Sequence, residues 1–186
     1  PVIYFDGSSW GPLPAEAMPY EATCIWGDET QVFAGGHDGV IMSHEDGEWR
    51  IHDTHTLDWI NHIWGFAGDD VWASTEAGGL LHYDGTEWTS QEWPRPDGCD
   101  GLAIESFWST GSTLFLHTRH RLIVREGTEF RTLLDFPCTA SSPRIEGLWG
   151  NGPNEVFIAI TDESHPRSSC TPRYLLWWDG AEFHWF

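Results

Sequence analysis

A Trp-Gly pair that recurs along the chain is the sequence feature that most constrains its fold. The four pairs, one of which carries Ser in place of Gly, are Trp26-Gly27, Trp64-Gly65, Trp108-Ser109 and Trp149-Gly150. Their Trp residues stand 38, 44 and 41 residues apart. Self-similarity with such a period is typical of folds that stack one small structural unit several times.

Each repeat has the pattern of four short strands. Six or seven residues after each Trp comes an apolar pair, then a second apolar stretch, and then a tight turn followed by an aromatic residue. The turns are Asp46-Gly47, Asp84-Gly85, Asp179-Gly180 and the variant Glu126-Gly127. Asp-Gly between apolar runs indicates a hairpin, because Gly accepts the positive φ that the turn requires. Four short strands in about 40–45 residues is the pattern of a propeller blade.

The residues before the first pair supply half a repeat, since Val2 to Trp10 matches only strands three and four. We therefore predict an all-β fold, a β-propeller built from four-stranded antiparallel blades, with four full blades and an N-terminal half blade. We expect a single domain over 1–186, either whole or a fragment of a larger propeller. Its predicted parts are the half blade 1–11 and blades at about 22–52, 60–90, 104–133 and 145–186.

The half blade raises the question of how the ring closes. Its inner edge has no partner strands in the sequence, because the last repeat stops after its own outer strand, Phe183 to Phe186. Proteins usually cover an exposed strand edge. We therefore expect further blades or self-association of the chain to close the ring. The alternative is that four blades close alone, with the leading hairpin packed outside.

Composition and charge narrow the classes of partner. The formal net charge is −20 and all nine basic residues are Arg, so the chain repels phosphate backbones and we expect no nucleic-acid partner. No apolar run approaches the ~20 residues that span a bilayer, so we expect no membrane insertion. A protein or carbohydrate ligand is the expected partner. No nucleophile elbow or phosphate loop is found, so we expect neither enzymatic activity nor a cofactor.

The four cysteines lack a CxxC pair, which favours disulfides and an extracellular or cell-envelope location; four buried thiols are the alternative. Cys138 precedes the last repeat and Cys170 lies in the long loop of that repeat. Both should emerge on one face, so we predict a Cys138–Cys170 bridge, with Cys99 as the competing partner. Cys24 stands on an inner strand and should be a buried free thiol.

The loops that differ most between repeats should lie on one face of the blades, and binding usually occurs on such loops. One of them, His52 to His62, concentrates three His and two Asp. Imidazole and carboxylate groups suit zinc and similar metals. The candidate ligands are His52, His55, Asp58 and His62, and the alternative is a solvated loop.

The stretch from Ile63 to Trp88 resembles the repeats of bacterial predicted secreted propellers, and it is similar to the Asp-box repeats of sialidase-like propellers. This resemblance implies a secreted or envelope-bound repeat protein, and it does not specify an activity. Trp178-Asp179-Gly180 and Phe5-Asp6-Gly7 also resemble turns of fucose-binding propeller lectins.

Two further features bear on function. A sialidase-like site needs several Arg, and Arg119, Arg121 and Arg125 share one side of a strand if no bulge intervenes. The recurring Trp residues either stack on sugars or pack between blades, and their repeat-invariant positions favour packing.

We therefore predict a non-enzymatic binding or interaction module that uses its loop-rich face. The alternatives are lectin-like carbohydrate binding at blade interfaces and part of a larger propeller enzyme of sialidase-like type.

Overall fold

The computed structural model describes residues 3–5, 8–12, 21–95, 103–139, 141–161 and 173–185. The half blade consists of β1 (Ile3–Phe5) and β2 (Trp10–Pro12). Blade 1 consists of β3 (Ala22–Gly27), β4 (Gln31–Gly36), β5 (Ile41–Glu45) and β6 (Glu48–His52). Blade 2 consists of β7 (Ile60–Ala67), β8 (Asp70–Thr75), β9 (Leu80–Tyr83) and β10 (Trp88–Ser90). Blade 3 consists of β11 (Ser106–Thr110), β12 (Thr113–His117), β13 (Arg121–Glu126) and β14 (Glu129–Asp135). Blade 4 consists of β15 (Arg144–Gly152), β16 (Glu155–Thr161), β17 (Arg173–Trp178) and β18 (Phe183–Trp185).

Each blade is one antiparallel sheet in which the strands follow one another in chain order. The half blade is a separate two-stranded sheet. The predicted fold class, an all-β propeller with four four-stranded blades and a leading half blade, is confirmed. Among the described residues the only helical element is a 3₁₀ turn at His37–Gly39, and none forms a helix long and apolar enough to cross a membrane.

The chain divides into two compact units. Unit 1 comprises Pro1–Thr75 and Leu81–Ser90, and unit 2 comprises Glu76–Leu80 and Gln91–Phe186. Each unit has its own buried apolar cluster between two blades. The inner strands β3 and β7 lie side by side in unit 1, as do β11 and β15 in unit 2. The prediction of a single domain over 1–186 stays a prediction.

The Trp-Gly pairs join neighbouring blades within each unit. The indole of Trp26 in blade 1 lies on Gly65 in blade 2, where an added Cβ would be 2.6 Å from Cη2 of the ring. In unit 2 the indole of Trp108 lies on Gly150 in the same way, at 2.9 Å. At these two positions the prediction that the recurring Trp packs between blades is confirmed.

The Asp-containing turns are closed by their own carboxylates. Oδ1 of Asp84 accepts hydrogen bonds from the backbone N–H of Thr86 at 2.9 Å, from the hydroxyl of Thr86 at 2.6 Å and from the N–H of Glu87 at 3.0 Å. Asp28 makes the same three bonds with Thr30 and Gln31 between the first two strands of blade 1. The Asp carboxylate thus provides a hydrogen-bond acceptor for backbone N–H groups that have no partner strand in the turn.

Candidate functional site

A polar pocket of about 200 Å³ opens in unit 2 where blades 3 and 4 meet. Its lining residues are Glu105, His117, Arg119, Arg144, Ile145 and Glu146. They come from three chain segments: the approach to β11, the end of β12 with the turn that follows, and the start of β15. One segment is the loop between the second and third strands of blade 3, and the other two belong to the links between blades. The sequence pattern predicts that binding occurs on loops of these two kinds.

The turn that carries Arg119 is held by Thr118. The hydroxyl oxygen of Thr118 accepts hydrogen bonds from the backbone N–H groups of His120 at 3.4 Å and Arg121 at 3.1 Å. The N–H of Thr118 also donates to the carbonyl of Arg121 at 2.9 Å. A turn closed by three bonds presents the Arg119 side chain from a defined backbone position.

Further bonds fasten the three segments to one another. The N–H of Ile145 donates to the carbonyl of Arg119 at 2.7 Å, and the N–H of Glu105 donates to the carbonyl of His117 at 2.8 Å. Nδ1 of His120 donates to the carbonyl of Pro143 at 3.0 Å. The walls of the pocket are therefore preformed, since their backbone groups are already bonded to one another.

The pocket holds charged groups of both signs around a buried imidazole. The His117 side chain is only 1% exposed, and its Nδ1 donates to the carbonyl of Thr118 at 3.1 Å. In the neutral ring this leaves Nε2 as an acceptor. One carboxylate oxygen of Glu146 accepts a bond from the Thr161 hydroxyl at 2.5 Å. Arg119, Arg144 and Glu105 complete the charged lining.

The predicted Arg cluster does not converge on one point. Strand β13 keeps an unbroken register, but the opposite strand β14 has one extra residue, Leu133. This bulge places Asp135 opposite Arg121, whose guanidinium forms a bidentate pair with it at 2.6 and 3.0 Å and donates to the carbonyl of Pro94 at 3.0 Å. Arg121 is thereby fixed in a structural role, and only Arg119 of the three lines the pocket.

The candidate metal ligands lie in different environments. Nε2 of His52 lies 2.8 Å from Oγ of Ser43, and its ring packs among aromatic rings of blades 1 and 2. Burial lowers the pKa of His52, and the nearby Arg50 adds to the effect. His55 is exposed, and Asp53 lies 3.2 Å from it.

Asp58 lies in the exposed link between blades 1 and 2, and His62 lies on β7. In the described part of the chain, no three of His52, His55, Asp58 and His62 bring their potential ligand atoms within 4.8 Å of one another. A metal role for these residues stays a prediction.

A different group of potential ligands occurs in the last turn of blade 4. The ligand atoms of Asp179, Glu182 and His184 all lie within 4.8 Å of one another. Oδ1 of Asp179 accepts hydrogen bonds from the backbone N–H groups of Ala181 and Glu182, both at 2.8 Å. Its Oδ2 accepts a hydrogen bond from Nε2 of His184 at 2.8 Å. We interpret the group as a stabilised turn, because the Asp179 carboxylate is already bonded within it.

The cysteines follow the prediction in one respect. Cys24 carries a free thiol, as predicted, but the residue is partly rather than fully buried, and this burial raises its pKa to about 11. Cys138 is disulfide-bonded. Cys99 and Cys170 lie outside the described residues, so the predicted Cys138–Cys170 pairing and its Cys99 alternative both stay predictions.

Sequence reasoning missed most of the pocket. Glu105 and Glu146 each stand three residues before the Trp of their repeat, where blades 1 and 2 have Thr23 and Asn61. A polar residue at this position in every repeat was the available signal. His117 gave no comparable signal, because its burial depends on the neighbouring segments.

No protein-family model matches the sequence, and no curated protein matches it significantly. Several solved structures are similar to it. The computationally designed protein Ika4 has a TM-score of 0.59 and 17% identity, over 87% of this chain and 94% of that one. A structure of YCF48 bound to D1 peptide has a TM-score of 0.51 and 13% identity, over 91% of this chain and 83% of that one. YCF48 from Cyanidioschyzon merolae has a TM-score of 0.60 and 14% identity, over 94% of this chain and 57% of that one.

At such low identities the likeness shows the fold alone. Membership of the secreted Trp-Gly and Asp-box group, which the motifs indicated, stays a prediction. The comparisons and the sheets together establish a repeat protein built from propeller-type blades.

Proposed function

We propose that this protein is a non-enzymatic binding module that takes a peptide segment of a partner protein into the polar pocket of unit 2. The observation that carries the proposal is the pocket whose loops are hydrogen-bonded to one another. Preorganisation of this kind improves affinity because little ordering remains to be done on binding.

The size and chemistry of the pocket favour a peptide. A volume of about 200 Å³ is smaller than the roughly 300–1,000 Å³ of typical small-molecule sites, so it accommodates one side chain or chain terminus. A peptide offers carbonyl and carboxylate acceptors to Arg119 and Arg144, and an Arg can bind a carboxylate with two parallel hydrogen bonds. It also offers N–H donors to Glu105, which lines the pocket.

One observation outside the pocket supports a peptide ligand, and another supports a cellular location. In one of the solved structures with a similar fold, YCF48 is bound to D1 peptide, which supports the ligand class at the level of the fold. Cys138 is disulfide-bonded, and disulfides persist in oxidising compartments. We therefore also propose an extracellular or cell-envelope location, where partner proteins display accessible segments.

Selection from a displayed peptide library, followed by calorimetry, tests the proposal. We expect Arg119→Ala and Arg144→Ala each to weaken the selected peptide at least tenfold, about 1.4 kcal/mol. Arg131→Ala is the matched control, because Arg131 is an exposed residue of the same unit outside the pocket. Equal losses in all three variants would show that charge alone attracts the peptide, and binding of a glycan with no peptide enriched would favour the lectin alternative.

A further inference from the structure

Equivalent Trp residues of blades 1, 3 and 4 differ in what covers them. Trp26 in unit 1 and Trp108 in unit 2 are partly buried, each against a glycine of the following blade. The equivalent residue of blade 4, Trp149, is 57% exposed. Blade 4 therefore presents an open face with the side chain that elsewhere makes the contact between blades.

The residue before the Trp lies on the opposite side of the first strand of each blade. Its exposure also differs between blades. Ile63 in blade 2 is 6% exposed, and its Cδ1 would lie 2.8 Å from a Cβ added at Gly35 of blade 1. The equivalent residue of blade 4, Leu148, packs against the buried cluster of unit 2. In blade 1 the equivalent Ile25 is 63% exposed, and the neighbouring Gly27 is exposed as well.

We propose that the Trp149 face of one copy of this chain docks on the Ile25–Gly27 face of a second copy. The indole of Trp149 then lies on Gly27, in the arrangement that Trp26 forms with Gly65 and Trp108 forms with Gly150. One chain carries both halves of this contact in exposed form, so the interface is head to tail and each copy offers a different surface.

The physical driving force is the burial of large apolar side chains. A Trp and an Ile exposed at 57% and 63% lose solvent contact, and the indole gains a flat backbone surface at a residue without a side chain. Gly27 itself is unsuitable for a test, because an added Cβ would meet the carbonyl oxygen of Gln31 at 2.8 Å within its own hairpin.

Light scattering and sedimentation of the 186-residue chain test the proposal through Trp149→Glu and Ile25→Glu. At micromolar concentration we expect the wild-type chain to have a mass at least twice the 21.1 kDa of one copy. Each variant should be a folded monomer by circular dichroism. Ile51→Glu is the control, because Ile51 is 54% exposed on β6 and the substitution adds the same charge.

A mixing experiment separates this interface from other causes of dissociation. Each variant keeps the face that the other has lost, so an equimolar mixture of Trp149→Glu and Ile25→Glu should form a 1:1 pair. If one variant fails to fold, the other alone still tests whether its face is required. A monomeric wild-type chain, variants that associate as the wild type does, or a mixture of folded variants that stays monomeric would each overturn the proposal.

Discussion

The indole of Trp26 lies so close to Gly65 that a Cβ on that glycine would be 2.6 Å from Cη2 and 2.8 Å from two further ring carbons. The same relationship joins Trp108 to Gly150 in the other unit. Glycine in the Trp-Gly motif therefore provides room for the ring of the preceding blade. The motif recurs in the sequence because the contact between blades recurs in the fold.

Gly65→Ala should destabilise unit 1 by about 1–3 kcal/mol, the usual cost of overpacking a close contact. The three atoms nearest the new methyl group all belong to the Trp26 ring, so the loss should shrink when Trp26→Leu is added. Gly147→Ala is the control, because a Cβ there meets nothing within 4 Å. Urea denaturation measures the changes, and equal losses with and without the Trp26 ring would contradict the contact.

His52 should make the stability of unit 1 depend on pH. Burial lowers its pKa below the ordinary 6.5, so the unfolded chain binds the proton more readily than the folded one. The stabilisation is therefore complete above pH 6.5 and decreases as the pH falls towards the lower folded-state pKa. Thermal unfolding between pH 7.5 and about 5 measures the effect.

Two variants isolate the His52 contribution from that of other groups. His52→Gln should flatten the pH dependence, because it removes the titrating ring from the contact with Phe33 and Tyr83. His55→Gln is the control, since that residue lies in the exposed link. An unchanged slope in His52→Gln would show that another group is responsible.

The carboxyl group of Asp84 should titrate at about 2, because the hydroxyl of Thr86 and the backbone N–H groups of Glu87 and Thr86 bond to its charged form. Its contribution to stability is thus present above the ordinary pKa of 3.8 and is lost as the pH falls through 2. Thr86→Val should raise the pKa measured by NMR titration. Thr86→Ser keeps the hydroxyl and should leave the pKa near the wild-type value.

The thiol of Cys24 should be unreactive in the folded chain. Burial raises its pKa to about 11, and its Sγ lies 3.5 Å from the carbonyl of Gly35 and 3.6 Å from that of Ile60. Little thiolate is present at pH 8, and thiolate is the reactive form. A colorimetric thiol assay should therefore detect Cys24 only after denaturant is added; rapid reaction of the folded chain, absent in Cys24→Ser, would contradict this.

The architecture could be predicted because it follows from local and repeated signals. The Asp-Gly hairpins, the apolar strands and the Trp-Gly pairs are each visible within one repeat, and repetition makes each signal stronger. The strands of blades 1 and 2 span 22–52 and 60–90.

The site could be predicted only in part, because it depends on contacts between distant segments. Arg119 and Arg121 look equivalent in sequence, but Arg119 lies in the turn before β13, whereas Arg121 lies on that strand opposite Asp135. His52 was assigned to a polar loop, whereas the rings that enclose it include Tyr83 of blade 2. No local pattern reports such packing between blades.

Amide hydrogen exchange, with and without a selected peptide, tests the central claim that the pocket of unit 2 binds a partner segment. The account predicts slower exchange on peptide binding at 117–119 and 144–146, with no change in the link 53–59 of unit 1, which lies outside the pocket. Slower exchange confined to unit 1, or spread evenly over the chain, would contradict it.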